Sequence, residues 1–502
     1  MRVLIVAAEA APYIKVGGLG DVAGSLPPAL ASLGHEVRLA LPRVQGVMPR
    51  RGARIAWTDS LPHGDGRVDV SVITGRLPGV GAKVDVRLID CPVVLGGSAL
   101  YSGPTEAERF VLFVRAALTD CEHSGFVPDV IQAHDWHAAL VPVEIARRRV
   151  AGEPLGMAKT LLTIHNMAYQ GVQDAAFAQR FELDPPGAPG DIAPNRINLL
   201  GRGLASADRV TAVSPTFAQE ITTPSGGFGL HRVLAERGDD VAGIVNGIDL
   251  RSFDPARDAA LAQRYSAKSA GRRAANRSAL VEEMGIDAPR SAPIVGIVSR
   301  LVEQKGLDVL LAAGDALVAR GARLVVLGSG ESGIEDGFRI LAARHPRAVA
   351  FSLGYNDPLA RRIYAGCDVF TMPSRFEPCG LGQLIAMRYG AVPFVRRTGG
   401  LADTVEPVFG DSGTGFLFDA PTVASFLAEL DVVIAAFRDR MAWRALQLRC
   451  MERDSSWHAS ALAYDGVMRA AVGDPLSPAR DTRPQAAAAS TPPMQRVRDA
   501  AR

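Results

Sequence analysis

Short runs of apolar residues alternate along the chain with longer segments rich in Ala, Leu and Arg. Continuous apolar runs predict strands of parallel sheets that helices cover on both faces. Six runs come first and five follow: RVLIVAA, EVRLALP, VDVRLID, DVIQAHD, KTLLTIHN and RVTAVS, then APIVGIVSR, ARLVVLGSG, AVAFSLG, DVFTMPS and VPFVRR. The pattern therefore predicts an α/β protein with two doubly wound domains.

A turn-forming Asn-Gly pair within GIVNGID, residues 243–249, separates the two series of runs. It predicts a first domain over residues 1–243 and a second over 244–454. SWHASALAYDGVMRAAV predicts an amphipathic helix within residues 455–472 as the last ordered element. Residues 473–502 are rich in Pro, Ala and Arg with few bulky apolar residues, which predicts a disordered tail.

Composition narrows the class of protein. A chain of 502 residues with 48% hydrophobic residues has enough apolar material for about two or three domains. Its net charge of +2 argues against a nucleic-acid partner. Five cysteines without regular spacing predict a reduced, cytoplasmic protein, and they show no metal-site pattern. The apolar run at the N-terminus is well short of a membrane span and lacks a signal-peptide pattern.

The first candidate for chemistry is KVGGLGDV, residues 15–22, which follows the first predicted strand. Glycines between a strand and a helix let backbone N–H groups approach an anion closely. Lys15 adds a compact positive charge, and Asp21 can cap the helix, which Pro27 and Pro28 should kink or restart. The loop fits an anion site, and it also fits a plain tight turn.

The scarcity of lysine favours the anion site. Only five of the 55 Lys and Arg residues are lysine, so a lysine at such a position indicates a need for a point charge rather than a planar guanidinium. Arg300 and Lys305, in SRLVEQKG, follow a strand of the second series. Two cationic sites, one at a strand end of each sheet, predict a cleft that holds an anion between them.

Polar side chains follow other strands as well. QAHDWHAAL carries His134, Asp135 and His137, and LLTIHNMAYQG carries His165 and Asn166. Carboxylates at ligand spacing are too few for a metal, so recognition of sugar hydroxyls is the better interpretation. In PSRFEPCGLGQL, the carboxylate of Glu377 precedes a predicted helix that starts near 380–381, where a sugar can be held.

Ten motifs, taken together and in order, resemble bacterial glycogen synthase and plant starch synthase, which are retaining glycosyltransferases. The motifs are KVGGLGDV, HDWH, IHNMAYQG, ADRVTAVSPTFAQEI, GIVNGID, SRLVEQKG, RIYAGCD, PSRFEPCGLGQL, VRRTGGLADTV and GTGFLF. The resemblance runs through most of residues 1–470 and is far more specific than a lone glycine loop.

The resemblance implies two Rossmann-like domains that face each other across a cleft, the GT-B architecture, with a final helix returning to the first domain. It implies transfer of glucose from ADP-glucose to the non-reducing 4-hydroxyl of an α-1,4-glucan such as glycogen, with retention of configuration and release of ADP. Neither a metal nor a cofactor is implied, and the partners are the nucleotide sugar and the glucan, without nucleic acid or membrane. The sequence leaves a homo-oligomer open.

The resemblance also assigns roles to residues by matching motif. Four residues are implied to be catalytic: Glu377, Arg300, Lys305 and His165. Of these, Arg300 and Lys305 are implied to neutralise the leaving phosphates. Ten are implied to bind substrate: Lys15, Gly17, Gly18, Asp135, Asn166, Asn246, Tyr355, Cys379, Gly380 and Leu381. Within that set, Lys15 and the two glycines meet the diphosphate, Tyr355 stacks on the base, and the backbone at 379–381 helps Glu377 to hold glucose.

Other functions remain open at this stage. A UDP-glucose-using glucan synthase or a nucleotide-sugar epimerase would share the architecture. A nicotinamide-dependent oxidoreductase also uses a strand, glycines and a helix, and Glu36 has part of the required spacing, but neither Lys15 nor Lys305 has a role there. A glucan-binding scaffold without activity would not need the whole set of cleft residues.

Overall fold

The computed structural model describes residues 1–48, 53–77, 83–97, 99–101, 103 and 105–474. The predicted disordered tail therefore lies, from residue 475 onward, outside the described residues. Two sheets dominate the fold, one of nine strands and one of six. Their order is β11-β10-β7-β6-β1-β2-β5-β4-β3 in the first sheet and β14-β13-β12-β15-β16-β17 in the second, and β8 and β9 form a separate pair.

The strands before the turn at 243–249 are β1 (Arg2–Val6), β2 (Glu36–Pro42), β3 (Arg54–His63), β4 (Gly66–Arg76), β5 (Val84–Asp90), β6 (Val130–His134), β7 (Lys159–Ile164), β8 (Val172–Asp174), β9 (Arg196–Asn198), β10 (Arg209–Ala212) and β11 (Val241–Gly243). Those after it are β12 (Ile294–Val298), β13 (Arg323–Gly328), β14 (Val349–Leu353), β15 (Val369–Met372), β16 (Val392–Arg396) and β17 (Phe416–Phe418). All eleven predicted strands are present.

Helices connect these strands and cover both sheets. In the first half they are α1 (Gly18–Ser32), α2 (Glu106–Ser124), α3 (Asp135–Ala138), α4 (Leu140–Ala151), α5 (Ala175–Arg180), α6 (Leu199–Ser206), α7 (Pro215–Glu220) and α8 (His231–Glu236). In the second half they are α9 (Arg273–Met284), α10 (Leu307–Ala319), α11 (Ser332–Arg344), α12 (Asp357–Gly366), α13 (Gly382–Arg388), α14 (Gly399–Thr404), α15 (Val423–Arg438), α16 (Arg440–Glu452) and α17 (Trp457–Val472). Short 3-10 turns span Gly238–Asp240, Ala267–Arg272 and Glu303–Lys305.

The second sheet is parallel throughout, but the first is not. Strands β3 and β4 form an antiparallel hairpin that pairs with β5 at the sheet edge. The apolar pattern missed this hairpin because β3 is an exposed edge strand without a continuous apolar run. Nine of its ten residues are only partly buried or exposed, and Leu61 alone is buried. The prediction of purely parallel sheets was wrong at this edge.

Helix α1 also differs from expectation. It runs through Pro27 and Pro28 without a break, and its N-cap is Gly17, so Asp21 lies in the first turn instead of capping. Each proline removes one backbone hydrogen bond. Burial of Leu26 and Leu30 in the core against the first sheet offsets that loss, since tertiary packing supplies most of a helix's stability.

The last described helix packs on the first sheet, far from its neighbours in sequence. Trp457, Tyr464 and Met468 of α17 lie in the same core as β1, α1 and β2. His35 and Asp465 form a contact of 2.9 Å between Nε2 and the carboxylate at this interface. The last strand of the first sheet ends at Gly243, and the core of the second sheet begins at Ile248. The domain limits stay predictions, which these cores and this helix support.

Candidate functional site

The predicted site residues of the first half gather at one edge of the first sheet. They follow the carboxyl ends of the neighbouring parallel strands β1, β6 and β7 and of β11 at the sheet's end: Lys15, Gly17 and Gly18 after β1, Asp135 after β6, His165 and Asn166 after β7, and Asn246 after β11. Ligands of open parallel sheets bind outside this edge.

The predicted residues of the second half gather in the same way. Arg300 and Lys305 follow β12, Tyr355 follows β14, and Glu377, Cys379, Gly380 and Leu381 follow β15. Strands β14, β13, β12 and β15 are consecutive in the sheet. Two polar edges, one from each sheet, therefore carry all the candidates.

The two edges face each other. A methyl group added at Gly18 would lie 3.9 Å from the side chain of Leu381. The Ser214 hydroxyl, after β10, donates a hydrogen bond of 2.6 Å to the Pro378 carbonyl, after β15. Asn246, after β11, lies close enough to the Cys379 thiol to oppose the rise of its pKa. The structure thus brings the predicted residues of both sheets together around one interface.

The glycine loop is hydrogen-bonded to Glu9, a buried residue that the sequence analysis did not single out. Glu9, which is 2% exposed, accepts the backbone N–H groups of Val16 and Gly17, and the Tyr101 hydroxyl donates to its other oxygen. The N–H of Gly17 is therefore occupied, and a diphosphate that took it would have to displace Glu9. A lone carboxylate at the end of the buried run VLIVAAEA was the available signal.

Lys15 forms an ion pair with Asp21, with 2.7 Å between the charged atoms. Burial alone would lower the pKa of Lys15, but the charge and hydrogen bond of Asp21 outweigh it and raise the pKa above its usual value. The charge of Asp357, at the start of α12 in the second half of the chain, acts in the same direction. Lys15 is a firmly charged ammonium that faces the second domain.

Lys305 and Glu377 form the most buried ion pair among the site residues. Lys305 Nζ donates to Glu377 Oε2 at 2.6 Å, and the Ser374 hydroxyl donates to the same oxygen at 2.9 Å. Among the described residues, none donates to Oε1 of Glu377. The ammonium has three N–H groups and donates one of them to Glu377, so it can bind a phosphate at the same time. Arg300 is exposed and forms no ion pair with a described residue.

Gly306 fixes Lys305 against the segment that leads to Glu377. Its φ is +63°, and an added Cβ would lie 2.0 Å from the Pro373 carbonyl oxygen. We expect Gly306→Ala to lower the free energy of unfolding by about 2–4 kcal/mol, because it adds backbone strain and a steric clash. Urea unfolding measures this loss. Gly321→Ala is the matched control, because Gly321 has φ +87° and open space around it. Equal losses for the two variants would contradict this account.

Asp135 anchors the strand ends of β6 and β7. It has a left-handed φ of +56° and is 8% exposed, and Oδ1 accepts the backbone N–H groups of His165 at 2.6 Å and Asn166 at 3.3 Å. Burial raises its pKa to about 7; the two N–H groups oppose that rise and the charge of Glu9 adds to it.

The histidines beside Asp135 are neutral at pH 7. His134 Nδ1 lies 2.9 Å from His165 Nε2. Burial lowers the pKa of His165 to about 3 and that of His134 well below its usual value. His137 packs against Tyr101 and Trp136, and burial lowers its pKa to about 3. With one ring nitrogen engaged by His134, His165 has the other for a hydroxyl.

The raised pKa of Asp135 predicts a pH-dependent stability. Between about pH 4 and 7 the folded protein holds a proton that the unfolded chain has lost, so this group makes stability fall as pH rises. We expect Asp135→Asn to raise Tm relative to the unsubstituted chain by an amount that grows from pH 5 to pH 8. Asp174→Asn, at an exposed helix N-cap, is the control and should show no such trend. A constant Tm difference for Asp135→Asn would contradict the prediction.

The remaining candidates take distinct positions. Tyr355 is 79% exposed, which leaves its ring open to a ligand. Cys379 is buried, and burial raises its pKa to about 12, so its thiol is neutral. Asn246 is 5% exposed, and its buried Oδ1 has no hydrogen-bond partner in the described part of the chain. Gly380 has φ +75°, and Leu381 is the N-cap of α13. These positions suit contacts to a bound sugar and base, and the roles stay predictions.

Two kinds of feature are absent from the described part of the chain. No group of three or more His, Cys, Asp or Glu side chains in it is arranged to hold a metal ion. None of the helices in the described ranges combines the length and the apolar character needed to cross a membrane.

Two protein-family models match the chain. The starch synthase catalytic domain matches residues 2–236, and the glycosyl transferases group 1 model matches residues 292–444. The first spans the glycine loop and the Asp135 and His165 segments, and the second spans Arg300, Lys305 and Glu377.

Similar proteins agree with these matches. The glycogen synthase of Anaeromyxobacter dehalogenans (strain 2CP-C) is 41% identical, with 93% of this chain and 99% of that protein covered. The glycogen synthase of Gloeobacter violaceus is 43% identical, with 94% and 99% covered. The catalytic domain of starch synthase IV from Arabidopsis thaliana, solved with ADP and acarbose, is 33% identical with a TM-score of 0.86 and covers 94% of this chain and 99% of that one.

A sucrose-phosphate synthase from Thermosynechococcus elongatus, 17% identical with a TM-score of 0.59 over 93% of this chain and 98% of that one, shares the fold alone. Together with the family models and the relatives at about 40% identity over nearly their whole length, it confirms the predicted α/β architecture of two Rossmann-like domains across a cleft. The chain belongs to the glycogen and starch synthase family of glycosyltransferases.

Proposed function

We propose that the protein transfers glucose from ADP-glucose to the non-reducing 4-hydroxyl of an α-1,4-glucan such as glycogen, with retention of configuration and release of ADP. One observation carries the proposal. The edge with Lys15 and the edge with Arg300 and Lys305 face each other, with Gly18 and Leu381 in near contact. A diphosphate between these edges would meet cations from both domains.

The cations account for the chemical step. Cleavage of the bond between glucose and diphosphate builds negative charge on the leaving group and positive charge on the sugar. Among the described residues, Lys305 uses one of its three N–H donors, on Glu377, and Arg300 has no competing carboxylate. Both can therefore meet the leaving charge. The positive charge on the sugar would lie near Glu377, whose Oε1 is available.

The other predicted residues surround the sugar in this proposal. Asp135 positions the backbone at 165–166, and neutral His165 offers a ring nitrogen to a hydroxyl. Asn246 offers its Oδ1, which accepts no hydrogen bond from a described residue. Cys379, Gly380 and Leu381 present backbone at the start of α13. Each group is a neutral or paired donor or acceptor, which suits hydroxyl recognition in a cleft.

Retention proceeds in this proposal by attack on the same face from which the phosphate leaves, and the departing phosphate takes the proton of the acceptor hydroxyl. The two carboxylates proposed to lie at the sugar already have partners, since Glu377 binds Lys305 and Asp135 binds backbone N–H groups. Neither is placed as a free nucleophile. A covalent glucosyl-enzyme detected by mass spectrometry after rapid quenching would overturn this step.

The choice of donor rests on the base side of the site. Tyr355 stands exposed beside Lys15 and can stack on a nucleobase. The starch synthase IV structure contains ADP, which favours ADP-glucose over UDP-glucose for this chain. Competition of the two nucleotide sugars in one assay should give mostly ADP. Release of more UDP than ADP would show that UDP-glucose is the preferred donor.

Release of ADP from ADP-glucose, measured with and without glycogen, tests the function as a whole. We expect fast release only with glycogen, together with lengthened chains. Release without chain extension would favour a hydrolase or an epimerase-like enzyme instead. As part of the proposal we place the reaction in the cytoplasm, because all five cysteines are buried and unpaired.

A further inference from the structure

An exposed phenylalanine stands at the tip of a glycine loop after α7. In SGGFG, the ring of Phe228 is 42% exposed and lies between Gly227 and Gly229. Added Cβ atoms at Gly226 and Gly227 would lie 2.2 Å and 2.5 Å from the carbonyl oxygens of Glu220 and Ile221. The loop therefore packs tightly on the end of α7 and holds its one large side chain outward.

The backbone of Phe228 is strained. Its φ is +48°, a left-handed conformation that bulky residues avoid. Asp135, in the site, shares this feature with φ +56°. Such strain persists where the surroundings enforce it, and it clusters at functional sites. At this position the Phe228 carbonyl accepts a hydrogen bond of 3.0 Å from the Gln170 side chain.

That hydrogen bond ties Phe228 to the sugar side of the site. Gln170 belongs to the segment IHNMAYQG, which also contains His165 and Asn166. The amide of Asn198, which is 1% exposed, donates to Gln170 at 2.6 Å and holds it in place. Phe228 is thus linked by two hydrogen bonds, through Gln170 and Asn198, to the first-domain wall of the cleft.

On the other side, Phe228 meets a ring from the second domain. The centroids of Phe228 and Phe376 are 5.7 Å apart, with an angle of 65° between the rings. Phe376 directly precedes Glu377, and its carbonyl accepts from Gln304, the neighbour of Lys305. This edge-to-face pair spans the two domains next to the proposed reacting groups, and Phe228 remains 42% exposed beside it.

We propose that Phe228 and Phe376 form a stacking subsite for the acceptor glucan, where a glucose unit behind the reacting end packs its C–H face on the exposed ring. The inference rests on the proposed function and assigns acceptor recognition within it. Sugars have apolar C–H faces, and an aromatic ring buries such a face without needing polar partners. Nothing in this pair can contact a phosphate, so its contribution should concern the acceptor alone.

The test compares variants of Phe228 in the full chain. We expect Phe228→Leu to weaken binding of maltohexaose, measured by calorimetry without donor, at least tenfold, and to raise KM for glycogen by a similar factor. Affinity for ADP should stay within about twofold. Phe228→Tyr should restore most of the glucan affinity because it keeps the ring. Phe409→Ala is the control, since Phe409 is 81% exposed in a loop beyond the far end of α14.

A purely structural role for the pair predicts a different result. If the rings only hold the domains together, Phe228→Leu should change ADP affinity and kcat as well as maltohexaose affinity and KM for glycogen. That outcome would overturn the proposal. Unchanged maltohexaose binding would overturn it as well. Failure of the proposed function is a separate result: the unsubstituted chain would then bind maltohexaose without extending it, and the binding comparison would still decide the role of Phe228.

Discussion

Replacing Lys305 with alanine is expected to lower kcat for glucosyl transfer about 10³-fold, equivalent to about 4 kcal/mol, and to raise KM for ADP-glucose less than about tenfold. The ammonium lies at the carboxyl edge of the second sheet with one N–H spent on Glu377. Its remaining donors meet charge that grows as the phosphate leaves, so the interaction strengthens in the transition state. Steady-state kinetics with saturating glycogen measures both parameters.

The chain provides a matched control for this variant. Lys159 starts β7, at the opposite end of the strand from the cleft, and forms a contact of 3.7 Å with Asp208. Lys159→Ala should leave kcat within about twofold of the unsubstituted enzyme. A Lys305→Ala enzyme with normal kcat and only a raised KM would show that Lys305 merely binds the ground state.

Glu377→Gln is expected to lower kcat about 10²-fold with little change in KM for the donor. The carboxylate is 5% exposed, and Oε1 has no donor among the described residues. A full negative charge there stabilises the positive sugar and strengthens a hydrogen bond from its hydroxyl, and a neutral amide of the same shape does neither as well. Rapid-quench measurement of a single turnover isolates this effect from product release.

Two comparisons make the result specific to Glu377. Glu303→Gln changes an exposed carboxylate two residues before Lys305 and should leave kcat unchanged. The double variant Lys305→Ala/Glu377→Gln should be only slightly worse than Lys305→Ala, because groups that act as a unit lose their effects non-additively. Fully additive losses would mean that the ion pair does not work as one element.

Most of the fold could be predicted because its strands are buried on both faces. The segment EVRLALP, for example, is β2 from its first residue to its last, with six of seven residues buried. Strand β3 escaped because an exposed edge strand needs no apolar run. Helix α1 was expected to break at Pro27, and local propensity gave way there to tertiary packing.

The sequence predicted where the candidate site lies better than it predicted the contacts within the site. A polar residue at the carboxyl end of a parallel strand must lie near its counterparts on neighbouring strands, so the grouping of Asp135 and His165 followed from the pattern. The sequence could not show that Glu9 takes the N–H of Gly17. Nor could it show that Phe228 meets Phe376, since that contact joins distant segments of the chain.

The most direct test of the central claim is a crystal structure of the chain with ADP. The account predicts one diphosphate within about 4 Å of the Lys15 ammonium on one side and of Arg300 and Lys305 on the other. ADP bound by the second domain alone, with Lys15 still paired to Asp21 and too far to touch it in a closed cleft, would contradict the account.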